Sequence, residues 1–152
     1  MEKLKKAITL MELMIVVTII SVLAALAIPN LLRSRMSARA AISANLLRIV
    51  CSAEVQWRAT NPEYATLQEL ASAQPPYIDV SLASGIKQEY IIKAVPNTYI
   101  DFYATATPQN LAQAKTYYID EDGLLCRSNS VNTPAPNIHI GTSCPVGFSE
   151  VE

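Results

Sequence analysis

ITLMELMIVVTIISVLAALAI, residues 8–28, is an unbroken apolar run whose only polar side chains are Thr9, Glu12, Thr18 and Ser21. As a helix it spans about 31 Å, close to the hydrocarbon thickness of a bilayer. A buried helix of a globular domain rarely keeps so long an apolar surface, so the run predicts a bilayer-inserting helix. Secretory signals have apolar cores of about 7–15 residues, shorter than this one. Ala25-Leu26-Ala27 resembles a signal-peptidase site that would leave a product starting at Ile28. Glu12 and the helical pattern beyond Ala27 argue instead for a retained helix. Lys3, Lys5 and Lys6 flank one end and Arg33, Arg35 and Arg39 the other, so flanking charge leaves orientation open. An ionised carboxylate in mid-bilayer costs on the order of 3 kcal/mol, so Glu12 either reaches the headgroups or is kept for a cationic partner in an assembly.

Outward from this run, MEKLKKA precedes it and Pro29-Asn30 follows it. The whole, KKA-ITLMELMIVVTIISVLAALAIPN, resembles the leader and N-terminal helix of type IV pilins and of the pseudopilins of type II secretion. The resemblance covers about two dozen residues. It rests on a basic leader, a small residue before the cut, Thr9 second and Glu12 fifth after it, and Pro29 at the end of the run. It implies cleavage by a prepilin peptidase between Ala7 and Ile8, methylation of the Ile8 amine, and retention of the apolar segment. It implies that Glu12 pairs with the Ile8 terminus of a neighbouring subunit, with Thr9 beside them, and that Pro29 breaks the helix. Ala7 stands where Gly is usual, Ile8 where Phe is common and Ser21 where Gly is frequent.

The chain of 152 residues has a net charge of −1 and a mean hydropathy of +0.21, an average that hides two regions. In residues 8–59 five arginines stand against Glu12 and Glu54, leaving +3; residues 60–152 carry −6. A basic stem and an acidic head would favour subunits meeting stem to head.

Beyond Pro29 the helical pattern persists to Ala59. Ile42, Leu46, Ile49, Val50, Ala53 and Trp57 recur every three or four residues as one apolar stripe, expected to pack on a sheet. Cys51 falls away from that stripe, so it is expected against neighbouring subunits or exposed, in a small apolar packing role. Asn61-Pro62 closes the helix. Thr66 and Glu69 form a capping-box pattern around a short helix with Leu67 and Leu70, ended by Pro75-Pro76. Strands are expected at EYIIKAV (89–95), TYIDFYATA (98–106), KTYYID (115–120) and LLCR (124–127), the last two joined by a turn at Glu121-Asp122-Gly123.

Three cysteines, Cys51, Cys126 and Cys144, allow three pairings. Cys126 and Cys144 lie in a loop-rich segment, where a crosslink contributes roughly 3 kcal/mol, so Cys126–Cys144 is the expected bond, made in an oxidising compartment. His139, the single histidine, reads as a solvated loop residue rather than a ligand. Asp120-Glu121-Asp122-Gly123 resembles the start of a calcium loop without its later ligands, so a plain turn and no cofactor are expected, with calcium the one alternative. No catalytic spacing is visible, and no enzyme activity is expected.

The expected fold is α+β: a long N-terminal helix, membrane-inserting in its first half and amphipathic in its second, on a small antiparallel meander with a disulfide-pinned C-terminal segment. The expected division is a cleaved leader (1–7), an apolar helix (8–29), its amphipathic continuation (30–60) and a head (61–152). The resemblance implies a pilus subunit held in the bacterial inner membrane and polymerised with copies of itself, with a prepilin peptidase and an assembly machine as partners. A type II pseudopilin or a minor pilin is the nearest alternative, and a bitopic ligand-binding protein a distant one. Nucleic-acid binding is not legible.

Overall fold

A computed structural model of the chain describes residues 8–97, 101–110, 114–141 and 143–151. The leader with Ala7, and residues 98–100 of the second expected strand, lie outside these. The described residues form two compact units that divide within one helix, the first up to Arg35 and the second from Met36.

That helix, α1, is Leu10–Arg58. Its first part contains a window apolar and long enough to cross a bilayer, none of it buried. In the single chain α1 continues through Pro29. A proline ring fixes φ near the helical value and removes one N–H, so a single bond is lost while those on either side hold the helix. Thr18 and Ser21 satisfy themselves within the run. The Thr18 hydroxyl donates to the Met14 and Ile15 carbonyls at 2.6 and 3.0 Å, and that of Ser21 to Val17 at 2.7 Å. Their polarity is thereby hidden from lipid.

In the second unit, six strands follow in chain order as an antiparallel meander: β1 Ile86–Lys87, β2 Tyr90–Pro96, β3 Phe102–Pro108, β4 Tyr117–Asp120, β5 Leu125–Ser128 and β6 Phe148–Glu150. The sequence reading expected three or four. One sheet face, with Tyr90, Ile92, Phe102, Ala104, Ala106, Tyr117 and Ile119, shares a core with Ala44, Leu47, Val50, Cys51 and Ala53 of α1. The buried helix face therefore differs in part from the expected stripe. Val50 and Ala53 are on it and Leu46 and Trp57 pack half-buried against the same core, but Ile42 and Ile49 are exposed, and Ser43, Leu47 and Glu54 are buried in addition. The shared core takes small side chains from both sides, Ala44 and Ala53 on the helix and Ala104 and Ala106 on the strands, together with the larger Leu47, Val50, Ile92 and Phe102. Cys51 is likewise buried within its own chain, its thiol 3.6 Å from the Asp120 carbonyl. Burial first, then the charges of Asp120, Glu54 and Glu121, push that thiol up to about 11, so it stays protonated and inert.

The other sheet face carries a second cluster of Tyr103, Tyr118 and Cys126, against which Cys144 and Phe148 pack. Tyr103 and Tyr118 stack at 5.9 Å. The Cys126–Cys144 disulfide is present. It ties the segment after β5 to the sheet, and β6 pairs with β5 as a strand the sequence did not reveal.

Helix α2, Leu67–Ser72, has both bonds of its capping box: Glu69 N–H to the Thr66 hydroxyl at 3.4 Å, and Thr66 N–H to the Glu69 carboxylate at 2.7 Å. A 3-10 turn, Val80–Leu82, leads to Gly85, where a side chain would meet the Ile92 carbonyl at 2.9 Å.

The β1–β2 hairpin turns on Gln88 and Glu89, both at positive φ (54° and 64°). A two-residue turn of this kind favours Asn-Gly, and each non-glycine residue there costs about 1 kcal/mol. The conformation is held by Arg39, paired with the Glu89 carboxylate, and by the Gln109 N–H on the Glu89 carbonyl at 2.8 Å. Replacing Gln88-Glu89 by Asn-Gly relieves the backbone and forfeits a half-exposed ion pair worth little. The double variant is expected to be more stable by about 1 kcal/mol, read from the urea midpoint of the detergent-solubilised chain; an unchanged or lower midpoint would show that the ion pair outweighs the strain.

Candidate functional site

The site expected from sequence comprises Ala7, Ile8, Thr9 and Glu12, of which the last three are described. Thr9 precedes the first helical residue and Glu12 is the third within the helix. They form a capping box: Glu12 N–H donates to the Thr9 hydroxyl at 3.2 Å, and the Thr9 N–H donates back to Glu12 Oε2 at 2.9 Å. The Thr9 hydroxyl also donates to Oε2, at 2.8 Å. The sequence reading recognised this pattern at Thr66 and Glu69 but not at Thr9 and Glu12, although the spacing is the same.

Two consequences follow for Glu12. Its rotamer is fixed by two donors from Thr9, which restricts where the carboxylate can point. Its other oxygen, Oε1, accepts no hydrogen bond from the described residues. Glu12 is exposed, as are Ile8, Leu13, Ile15 and Val16, which with Glu12 line a shallow apolar cleft. The carboxylate is thus held from one side by Thr9 and open on the other among the described residues.

Around the second unit, two further expectations change. Arg39, counted among the stem cations, is engaged within its own chain by Glu89. His139 is not a solvated loop residue. Its Nδ1 lies 3.2 Å from Asp101 and its Nε2 2.6 Å from Glu121, with all three side chains largely buried. Its contacts come from residues far away in sequence, so no local pattern revealed them. Among the described residues no group of three or more His, Cys, Asp or Glu is arranged to hold a metal ion. The Asp120-Glu121-Asp122-Gly123 stretch is the β4–β5 turn, closed by Gly123 N–H on the Asp120 carbonyl at 3.1 Å and by Leu124 N–H on Asp120 Oδ1 at 3.0 Å.

Comparison with known proteins adds one match. Residues 3–28 match the family described as the prokaryotic N-terminal methylation motif. No curated protein matches the chain, and no solved structure does. The matched residues take in the basic leader, Thr9, Glu12 and the apolar helix, and the motif supports a protein of the type IV pilin or pseudopilin type. The chain thus carries a prokaryotic N-terminal methylation motif at residues 3–28, consistent with a type IV pilin-like prepilin leader.

Proposed function

We propose that the chain is a structural subunit of a type IV pilus filament, without catalytic activity of its own. It is cleaved after Ala7 and methylated at Ile8, held in the inner membrane by its apolar helix, and then polymerised through that helix. The observation that carries this reading is the Thr9–Glu12 geometry at the start of an exposed apolar helix. In the filament the Ile8 amine of one subunit meets the open Glu12 oxygen of another. A carboxylate that must find an amine inside an apolar bundle favours one axial offset between neighbours, because every other offset leaves a charge buried and unpaired. The exposed side chains of residues 8–28 exchange lipid for one another, so assembly conserves their burial from water.

Intact mass spectrometry of filaments sheared from the native cell surface tests this directly. The expected species begins at a methylated Ile8 and is abundant. The same species confined to the cell envelope would replace the pilus reading with a pseudopilin of type II secretion or a minor pilin. A soluble form beginning at Ile28 would overturn both.

A further inference from the structure

We propose that His139 is a protonation-dependent clasp: as an imidazolium it fastens the disulfide-closed loop after β5 onto the sheet, and losing its proton loosens that loop. The argument begins with the two ring nitrogens. Nδ1 faces Asp101 Oδ2 at 3.2 Å and Nε2 faces Glu121 Oε2 at 2.6 Å. A neutral imidazole has one N–H and one lone pair, so one of these contacts would set a lone pair against a carboxylate. Only the imidazolium donates to both. The same geometry leaves neither nitrogen free for a metal or a substrate, which makes the cluster a holding device.

The groups that touch His139 come from two places in the fold. Asp101 leads into β3, and its Oδ2 also accepts from the Asn97 side-chain amide at 3.3 Å. Glu121 lies in the β4–β5 turn, with Asp120 and Asp122 on either side of it. The sheet face that bears Cys126 also carries the stacked Tyr103 and Tyr118. Asp120 Oδ1 accepts from Leu124 N–H, while its Oδ2 is buried with no partner among the described residues and burial pushes this carboxyl up. Asp101 and Glu121 set a carboxylate against each ring nitrogen, so a cation at His139 meets opposite charge on both sides.

What the clasp holds is the stretch between β5 and Cys144. Its other anchors among the described residues include the Asn129 N–H on the Gly147 carbonyl at 2.8 Å and the Thr116 hydroxyl on the Thr133 carbonyl at 2.6 Å, near its start, and the disulfide at its end. His139 fixes the region between them. Pro134, Ala135, Pro136 and Asn137 of that stretch wall a groove of about 350 Å³ over β2 and β3, whose floor includes Lys93, Tyr103 and Thr105. Loosening His139 therefore moves one wall of this groove, while the disulfide keeps the change local and reversible.

Hydrogen exchange and imidazole ¹⁵N NMR on the full chain in detergent, between pH 5 and pH 10, test the clasp. At pH 5 both ring nitrogens carry protons and the amides around His139 are protected. At the alkaline end that protection, corrected for intrinsic exchange, falls about tenfold, the loss expected for a charge-assisted hydrogen bond, while β3 and β4 amides hold theirs. His139→Gln lacks the transition and shows the lower protection throughout. A single N–H tautomer at pH 5 would overturn the proposal, as would loop protection in the native chain that ignores pH. Because the NMR measurement uses the native chain, the test stands even where the variant misfolds.

Discussion

Glu12→Ala is expected to leave membrane insertion intact and to cut filament yield below about a tenth of the native level. Truncation removes both consequences of the capping box. The helix start loses about 1 kcal/mol of capping, a local effect that an apolar run of this length absorbs. Insertion becomes easier, since a carboxylate disfavoured by lipid has gone. Assembly loses the partner of the Ile8 amine, and an unpaired charge buried in a helical bundle costs roughly 3–5 kcal/mol at each contact. Glu12→Gln separates the two roles, because the Gln carbonyl accepts both Thr9 donors but carries no charge. It is expected to keep the helix start and still fail in assembly. Carbonate extraction of membranes reads insertion, and quantified sheared filaments read assembly. Normal filament yield from both variants would remove Glu12 from the mechanism, and failed insertion would show that its role lies earlier.

How much of this could be read from the sequence depended on the range of the interaction. The apolar run and the helix around it follow from composition and a period of three to four, both local. The capping box at Thr66 and the β4–β5 turn with Gly123 at φ 80° are also local, and the structure contains both. The helix face was read in part: Val50, Ala53, Leu46 and Trp57 join or pack on the core, whereas periodicity also took in Ile42 and Ile49 and passed over Leu47 and the small or polar residues buried beside it. Ser43, Ala44 and Cys51 are buried, and Ile42, Ile49 and Val55 remain exposed on the same helix. A single sequence does not distinguish a stripe meant for its own sheet from one facing outward. Strand β6 was invisible because three residues, Phe148–Glu150, carry no alternation; their pairing depends on a segment that the disulfide returns to the sheet. His139 was misread for the same reason, since its partners arrive through the tertiary fold. The Thr9–Glu12 box was legible, and was hidden only by lying inside a run read for its hydrophobicity.

Glu54→Gln is expected to make the second unit more stable above pH 7 and to flatten its stability between pH 4.5 and 7. Glu54 lies on the buried face of α1 with no exposed surface. Its Oε2 accepts the Ala65 N–H at 2.9 Å, while Oε1 is buried without a partner among the described residues. Burial pushes its carboxyl up to about 7; the Ala65 hydrogen bond opposes this and the charge of Glu69 adds to it. The folded chain therefore binds a proton at Glu54 more tightly than the unfolded chain, whose carboxyl titrates near 4.5. Below that pH Glu54 is neutral in both states and its stabilising contribution is fully present. As pH rises towards 7 the unfolded state ionises freely and the folded state does not, so stability falls, by roughly 3 kcal/mol in all. Above 7 the loss is complete and this group adds no further slope. Glutamine keeps an acceptor for Ala65 but cannot ionise, and its orphaned amide costs about 1 kcal/mol. The variant should thus lie slightly below the native chain at pH 4.5 and exceed it by about 2 kcal/mol at pH 8. Trp57, the single tryptophan, packs edge-on against Tyr77 at 5.7 Å and reports unfolding by fluorescence in urea. Parallel pH profiles for the two chains would show that Glu54 ionises as readily in the folded state as outside it, and that its buried oxygen has found a partner in solution.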